Sequence, residues 1–108
     1  MSSESAKSGP LGALTTIDRI VHEPARLLIL AYLYVVESAD FLFLMRQTNL
    51  TKGNLSAHLS KLENAGYVNI EKTFKGKLPL TVCKLTEAGQ KAFEGYRQQM
   101  QSFIEKTQ

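Results

Sequence analysis

The sequence predicts an α+β fold in which helices stand before and after a single β-hairpin. Leu55, Leu59 and Leu62 recur at i, i+4 and i+7 between a capping Thr51 and a helix-ending Gly66, the period of a helix buried along one side. Directly after Gly66 the period changes to two, in a pair of β-forming runs separated by Lys75-Gly76. A helical stripe then returns behind Thr86. At 108 residues with 44% apolar content, one domain is expected, with no room for a second.

Each element has its own signal. Met1 to Pro10 is Ser-rich and polar, without the charged-then-apolar pattern of a secretory signal, so residues 1–13 read as a disordered tail. The domain proper is expected over residues 14–93, with residues 94–108 as an extension of its last helix. Leu14 to Val21 suggests a short helical turn. Glu23-Pro24 opens a longer helix to about Glu37, with Pro where a missing N–H costs nothing. Its ARLLILAYLYVV is apolar nearly all round and should be covered on more than one side. Asp40 can cap a short helix to Thr48, with Phe41, Leu44 and Met45 inward and Arg46 and Gln47 outward, and an Asn49-Leu50 turn follows. Beyond Gly66, Tyr67 to Phe74 and Leu78 to Leu85 form the hairpin. Thr86 caps a last helix whose stripe of Ala88, Ala92, Phe93, Tyr96, Met100, Phe103 and Ile104 is longer than a small core needs. A second copy of the chain is the expected cover, through Leu28 and Tyr32 on the first long helix and Tyr96, Met100 and Phe103 on the last.

The helix behind Thr51 carries the functional signal. Opposite its leucines stand Gly53, Asn54, Ser56, Ala57, Ser60, Lys61 and Asn64, small or hydrogen-bonding, with one formal charge among them. A merely solvated face usually carries more Glu and Lys. Small residues let a helix backbone approach base edges, and Asn, Ser and Lys supply the donors and acceptors that bases and phosphates require. His58 lies at the edge of the leucine stripe, a boundary residue or a phosphate donor. Charge is distributed to match: from Arg46 to Lys77 six basic residues face Glu63 and Glu71, whereas the rest of the chain carries seven basic and eight acidic residues.

Several classes are excluded as expectations. One cysteine, Cys83, permits no intrachain disulfide and fits a reducing cytoplasm. One Cys with the scattered His22 and His58 makes no metal site, so no metal or cofactor is expected; His22 reads as a helix-start hydrogen bonder. The longest apolar run, Leu27 to Val36, is half of the ~20 residues a membrane-spanning helix needs. No Gly-rich phosphate loop, His/Glu metal helix or nucleophile with a nearby base suggests an enzyme.

Helix, helix, helix, hairpin, helix is the order of a winged helix-turn-helix domain, with a three-helix core, a β-hairpin wing and a C-terminal helix. Three blocks, IDRIVHEPARLLIL, LTKGNLSAHLSKLENAGYVNIEK and CKLTEAGQKAF, resemble the short one-domain transcriptional regulators of the MarR/ArsR-like group, over Ile17 to Phe93. That resemblance implies a homodimer on a palindromic operator in double-stranded DNA. Thr51, Lys52, Asn54, Ser56, Ala57, Ser60 and Lys61 would enter the major groove or touch its edges, and Lys72, Lys75 and Lys77 would follow neighbouring phosphates. A small-molecule effector, as many MarR relatives have, is compatible with this, although no polar cluster announces one. The chain departs from the pattern after the wing turn, where relatives tend to carry arginine and Leu78-Pro79-Leu80 stands instead; the two leucines are expected to pack under the wing, with a partner's surface as the alternative. A winged helix can also serve as a protein-binding module without DNA, for which a more apolar or acidic reading face would be expected.

Overall fold

The computed structural model describes Gly12 and residues 16–108; the expected tail and the start of the Leu14–Val21 turn lie outside the described residues. What is described of that turn is a single loop of chain held by Asp18. Its carboxylate accepts from the backbone N–H of Ile20 at 2.8 Å and of Val21 at 3.2 Å.

Four helices and a small sheet follow: α1 (Pro24–Val36), β1 (Ser38–Asp40), α2 (Phe41–Thr48), α3 (Lys52–Asn64), β2 (Val68–Lys75), β3 (Leu78–Leu85) and α4 (Glu87–Lys106). Side chains at the N-caps decide where the helices start. Glu23 caps α1 by accepting from the N–H groups of Ala25 and Arg26, with Pro24 in the first turn. Asp40, Thr51 and Thr86 cap α2, α3 and α4 through Phe43, Asn54 and Gly89. Helix α3 stops as expected. Gly66 takes φ +82, its N–H donates to Glu63 O, and Tyr67 N–H donates back to Leu62 O, the paired bonds of a Schellman ending. Asn49, at φ 57, turns α2 into the approach to α3, a conformation that its short polar side chain tolerates.

The sheet has the order β1-β3-β2 and is antiparallel throughout. The hairpin turn is Gly76-Lys77, with Lys75 paired to Leu78 and Gly76 at φ +64, one residue later than the sequence suggested. Strand β1 was not expected. Ser38-Ala39-Asp40 has no strand-forming residue, yet it pairs with Lys84, Cys83 and Val82 on the open edge of β3.

The core is built on α1, which touches α2, α3, α4, β1 and β3. Ile29, Leu30 and Leu33 meet Leu44 of α2, Leu55, Leu59 and Leu62 of α3, Val68 and Cys83 of the sheet, and Phe93 of α4. All three α3 leucines are buried, each stabilising the fold by about 1.5–3 kcal/mol. As expected, α1 is covered on more than one side, while Leu28, Val35 and Val36 remain exposed. No described helix is long and apolar enough to cross a membrane.

Candidate nucleic-acid interface

Because the leucines of α3 are drawn into the core, its other side is pushed outward. Lys52, Gly53, Asn54, Ser56, Ala57, Ser60, Lys61 and Asn64 are all exposed. Thr51 is exposed too, but its hydroxyl already accepts from Asn54 N–H at 3.1 Å, so it starts the helix before it does anything else. The sequence-read face is thus free as a whole, with one exception.

His58 does not belong to it. Its ring is turned back towards the start of α1, where Nδ1 lies 3.2 Å from the Arg26 guanidinium and 3.4 Å from Glu23 Oε2. Arg26, which the sequence reading passed over, is itself buried; it also donates to the carbonyls of Ile20 at 2.7 Å and Arg19 at 3.4 Å. Only an apolar-helix context marked it, since an arginine among ARLLIL must find partners to be buried at all. Together these groups tie α3 to α1. For the Glu23 carboxyl, burial works against ionisation, but the hydrogen bonds from Ala25 and Arg26 and the nearby charges of His58 and Arg26 outweigh it and hold it below its usual range.

The hairpin stands beside α3. Lys52, Ser56 and Ser60 on the helix and Ile70, Lys72 and Thr81 on the strands border a groove of about 440 Å³, with Glu63 in the same wall. Lys75 and Lys77 are exposed at the turn. Lys52, Lys61, Lys72, Lys75 and Lys77 form no ion pair with another described residue, whereas Glu71 is paired across the ladder with Lys84 at 3.8 Å. A helix face of small polar groups, flanked by unpaired ammonium groups on a projecting ribbon, can take up a polyanion with readable edges. Among the described residues no cluster of metal-ligating side chains exists.

A family model for the winged helix DNA-binding domain matches residues 25–104. The chain belongs to that family. It is a DNA-binding regulator of the winged-helix kind, with an uncharacterized protein of Methanocaldococcus jannaschii 42% identical over 79 residues, 72% of this chain and 85% of the other. The fold is shared with the transcriptional regulator homologue of Pyrococcus horikoshii OT3 at a TM-score of 0.82 and 28% identity, over 87% of this chain and 95% of that one. A MarR-family regulator from Silicibacter pomeroyi has the same fold at a TM-score of 0.64 and 19% identity, over 97% and 68% of the two chains.

The residues expected at a subunit interface are less uniform. Leu28 is exposed, and Met100 and Phe103 are half-buried on the last turns of α4. Tyr32 is half-buried, with its ring edge-on to Phe43. Tyr96 is largely buried in the chain's own core, its hydroxyl 2.9 Å from His22 Nδ1, and it also lines the apolar groove between α1 and α4. His22 is corrected by the same bond, since it joins α4 instead of starting α1. The two wing leucines part company. Leu80 is half-buried, but Leu78 is 72% exposed and packs under nothing.

Proposed function

We propose that the protein is a cytoplasmic transcriptional regulator that occupies promoter DNA as a homodimer on a palindromic operator. The observation that supports this best is that the polar face of α3 and Lys72 of the wing border one groove that the chain itself leaves open, with Lys75 and Lys77 exposed at the turn beyond it. Helix α3 enters the major groove; Asn54, Ser56 and Lys61 discriminate between bases, and Lys72, Lys75 and Lys77 contact backbone phosphates. Two such helices must lie ~34 Å apart to meet successive major grooves on one side of the duplex. The parts suited to set that spacing are α1 and the end of α4, where Leu27, Ala31, Phe93, Met100 and Ile104 line an apolar groove.

The reading is tested by titrating labelled duplexes, selected by the protein from a randomised pool, against unselected ones over a range of salt. Replacing Lys75 and Lys77 with Ala should weaken binding to every duplex and flatten the slope of log K against log salt by about two units. Asn54→Ala should leave the slope alone and narrow the ratio of selected to unselected affinity. A protein adaptor built on this fold would select no duplex and give no sequence-dependent band.

A further inference from the structure

The tip of the wing carries an apolar pair that the fold does not use. Residues paired directly across an antiparallel ladder share a face of the sheet. Phe74 is paired with Pro79, two places beyond the Lys72–Thr81 pair, in an uninterrupted register that begins with Val68 and Leu85. Phe74 and Pro79 therefore stand on the sheet face that, nearer its base, holds the core residues Val68, Ile70 and Cys83 and then turns Lys72 and Thr81 towards α3. The strand rises about 7 Å over two residues. That step takes the face past the last side chain that α3 covers: Phe74 is 69% exposed and Pro79 is exposed. Strand β1 reaches only to the Val82 pairing, so the other edge of β3 is bare beside Pro79, where a residue without an N–H fits.

The surroundings state which partner suits this surface. Lys72 stands on the same face two places before Phe74, and Lys75 and Lys77 lie at the adjoining turn, none with an ion-pair partner among the described residues, and the one carboxylate of β2, Glu71, is paired with Lys84. A surface of aromatic and proline carbon rimmed by ammonium groups is complementary to stacked bases flanked by phosphates. When α3 lies in a major groove, a ribbon projecting beside it meets the adjacent minor groove.

We propose that Phe74, backed by Pro79, is a wedge that enters the minor groove next to the α3 site and partly unstacks one base step there. This rests on the DNA-binding reading given above and adds the mode of contact. A wedge of this kind bends the duplex by about 20–90° and works best at the easily unstacked steps TA and CA/TG. The wing thereby contributes sequence preference through deformation at a position where α3 does not reach.

The test compares wild-type protein with Phe74→Ala, Phe74→Leu and Phe74→Lys. Each selects duplexes from a randomised pool, and bending of the wild-type winner is read by energy transfer between its labelled ends. Wild-type should enrich a TA or CA/TG step at a constant offset from the half-site and should shorten the end-to-end distance. Phe74→Ala should lose the step, leave the duplex straighter and bind it about tenfold more weakly, in line with the loss of one aromatic–base contact. Phe74→Leu should keep most of the bend, while Phe74→Lys keeps affinity without it. The side chain is exposed, so the variants should unfold at the wild-type denaturant midpoint. A straight wild-type complex, or an unchanged bend and step in Phe74→Ala, overturns the wedge while leaving the regulator reading in place. A Phe74→Ala protein that changes subunit association and not duplex shape assigns the pair to a second copy and overturns it equally. Failure of wild-type to select any duplex removes both readings.

Discussion

Glu23 joins three structural roles in one carboxylate: it caps α1, faces Arg26 at 3.6 Å and lies beside His58 of α3. Its ionised form is favoured in the fold, so its contribution is present above the ordinary carboxyl value of 4.5 and is lost as pH falls through the lower folded value. Glu23→Gln should therefore cost about 1 kcal/mol at neutral pH, the usual worth of a good cap, and less at an acid pH at which the wild-type carboxylate takes up its proton too. Denaturant midpoints of both proteins at the two pH values give the answer, and an equal difference at both would discard this account. At the alkaline end two other groups act in the opposite sense. Burial raises Tyr67 to about 12, with help from its hydrogen bond to Asp18, and burial raises the Cys83 thiol to about 11, with help from Glu63 and Asp40. Both prefer the neutral form in the fold. That stability is complete below their ordinary values of 10.0 and 9.0 and fades as pH climbs through the folded ones. Cys83, 0% exposed, should accordingly remain unlabelled by a chromogenic disulfide reagent at mild alkaline pH until the protein unfolds. Fast stoichiometric labelling of the native protein would mean that the sheet opens locally.

Between elements, two helical glycines make opposite demands. A methyl group on Gly89, in the first turn of α4, would stand 2.1 Å from the carbonyl oxygen of Tyr67 and 2.9 Å from Leu85. The chain crosses there at backbone distance, with Thr86 N–H donating to the same Tyr67 carbonyl and the Thr86 hydroxyl to Gly66 O. Gly89→Ala should therefore destabilise by about 1–3 kcal/mol, as forced overpacking does. Gly53 on α3 has nothing within 4 Å of such a methyl. Gly53→Ala should stabilise the helix by up to about 1 kcal/mol, yet weaken DNA binding if α3 docks as proposed, because the added carbon would then stand between the helix backbone and the groove. Thermal unfolding read beside duplex affinity separates the two effects. A Gly53→Ala protein that is more stable and binds as well as wild-type would show that this end of α3 keeps its distance from DNA. Between β1 and β3 the lesson is different: Ser38–Asp40 is a strand only because the open edge of β3 lies beside it, and no local preference foretells that.

For the molecule as a whole, α4 decides what a single chain can do. Its buried residues, Gly89, Phe93 and Tyr96, lie in its first half; beyond them run nearly three turns with Met100 and Phe103 half-buried and Ile104 53% exposed. If two copies join there, Met100→Asp combined with Ile104→Asp should give monomers in sedimentation and lower the affinity for a two-half-site duplex by about a hundredfold, as expected when a linked second contact is lost. A variant that remains dimeric would relocate the interface. Much of this was legible in the residues alone: the three leucines of α3 and their polar reverse side, the caps at Asp40, Thr51 and Thr86, the stop at Gly66 and the lysine-bearing hairpin all rest on short-range periodicity and backbone chemistry, which neighbours in sequence suffice to dictate. Contacts between distant segments were not legible. That His58 turns to Arg26, that Tyr96 is used by His22, that β1 exists, and that Leu78 and Phe74 stay bare at the wing tip depend on which surfaces meet when the helices close over α1. An exposed and a buried side chain of the same type read alike in a sequence, and only packing distinguishes them.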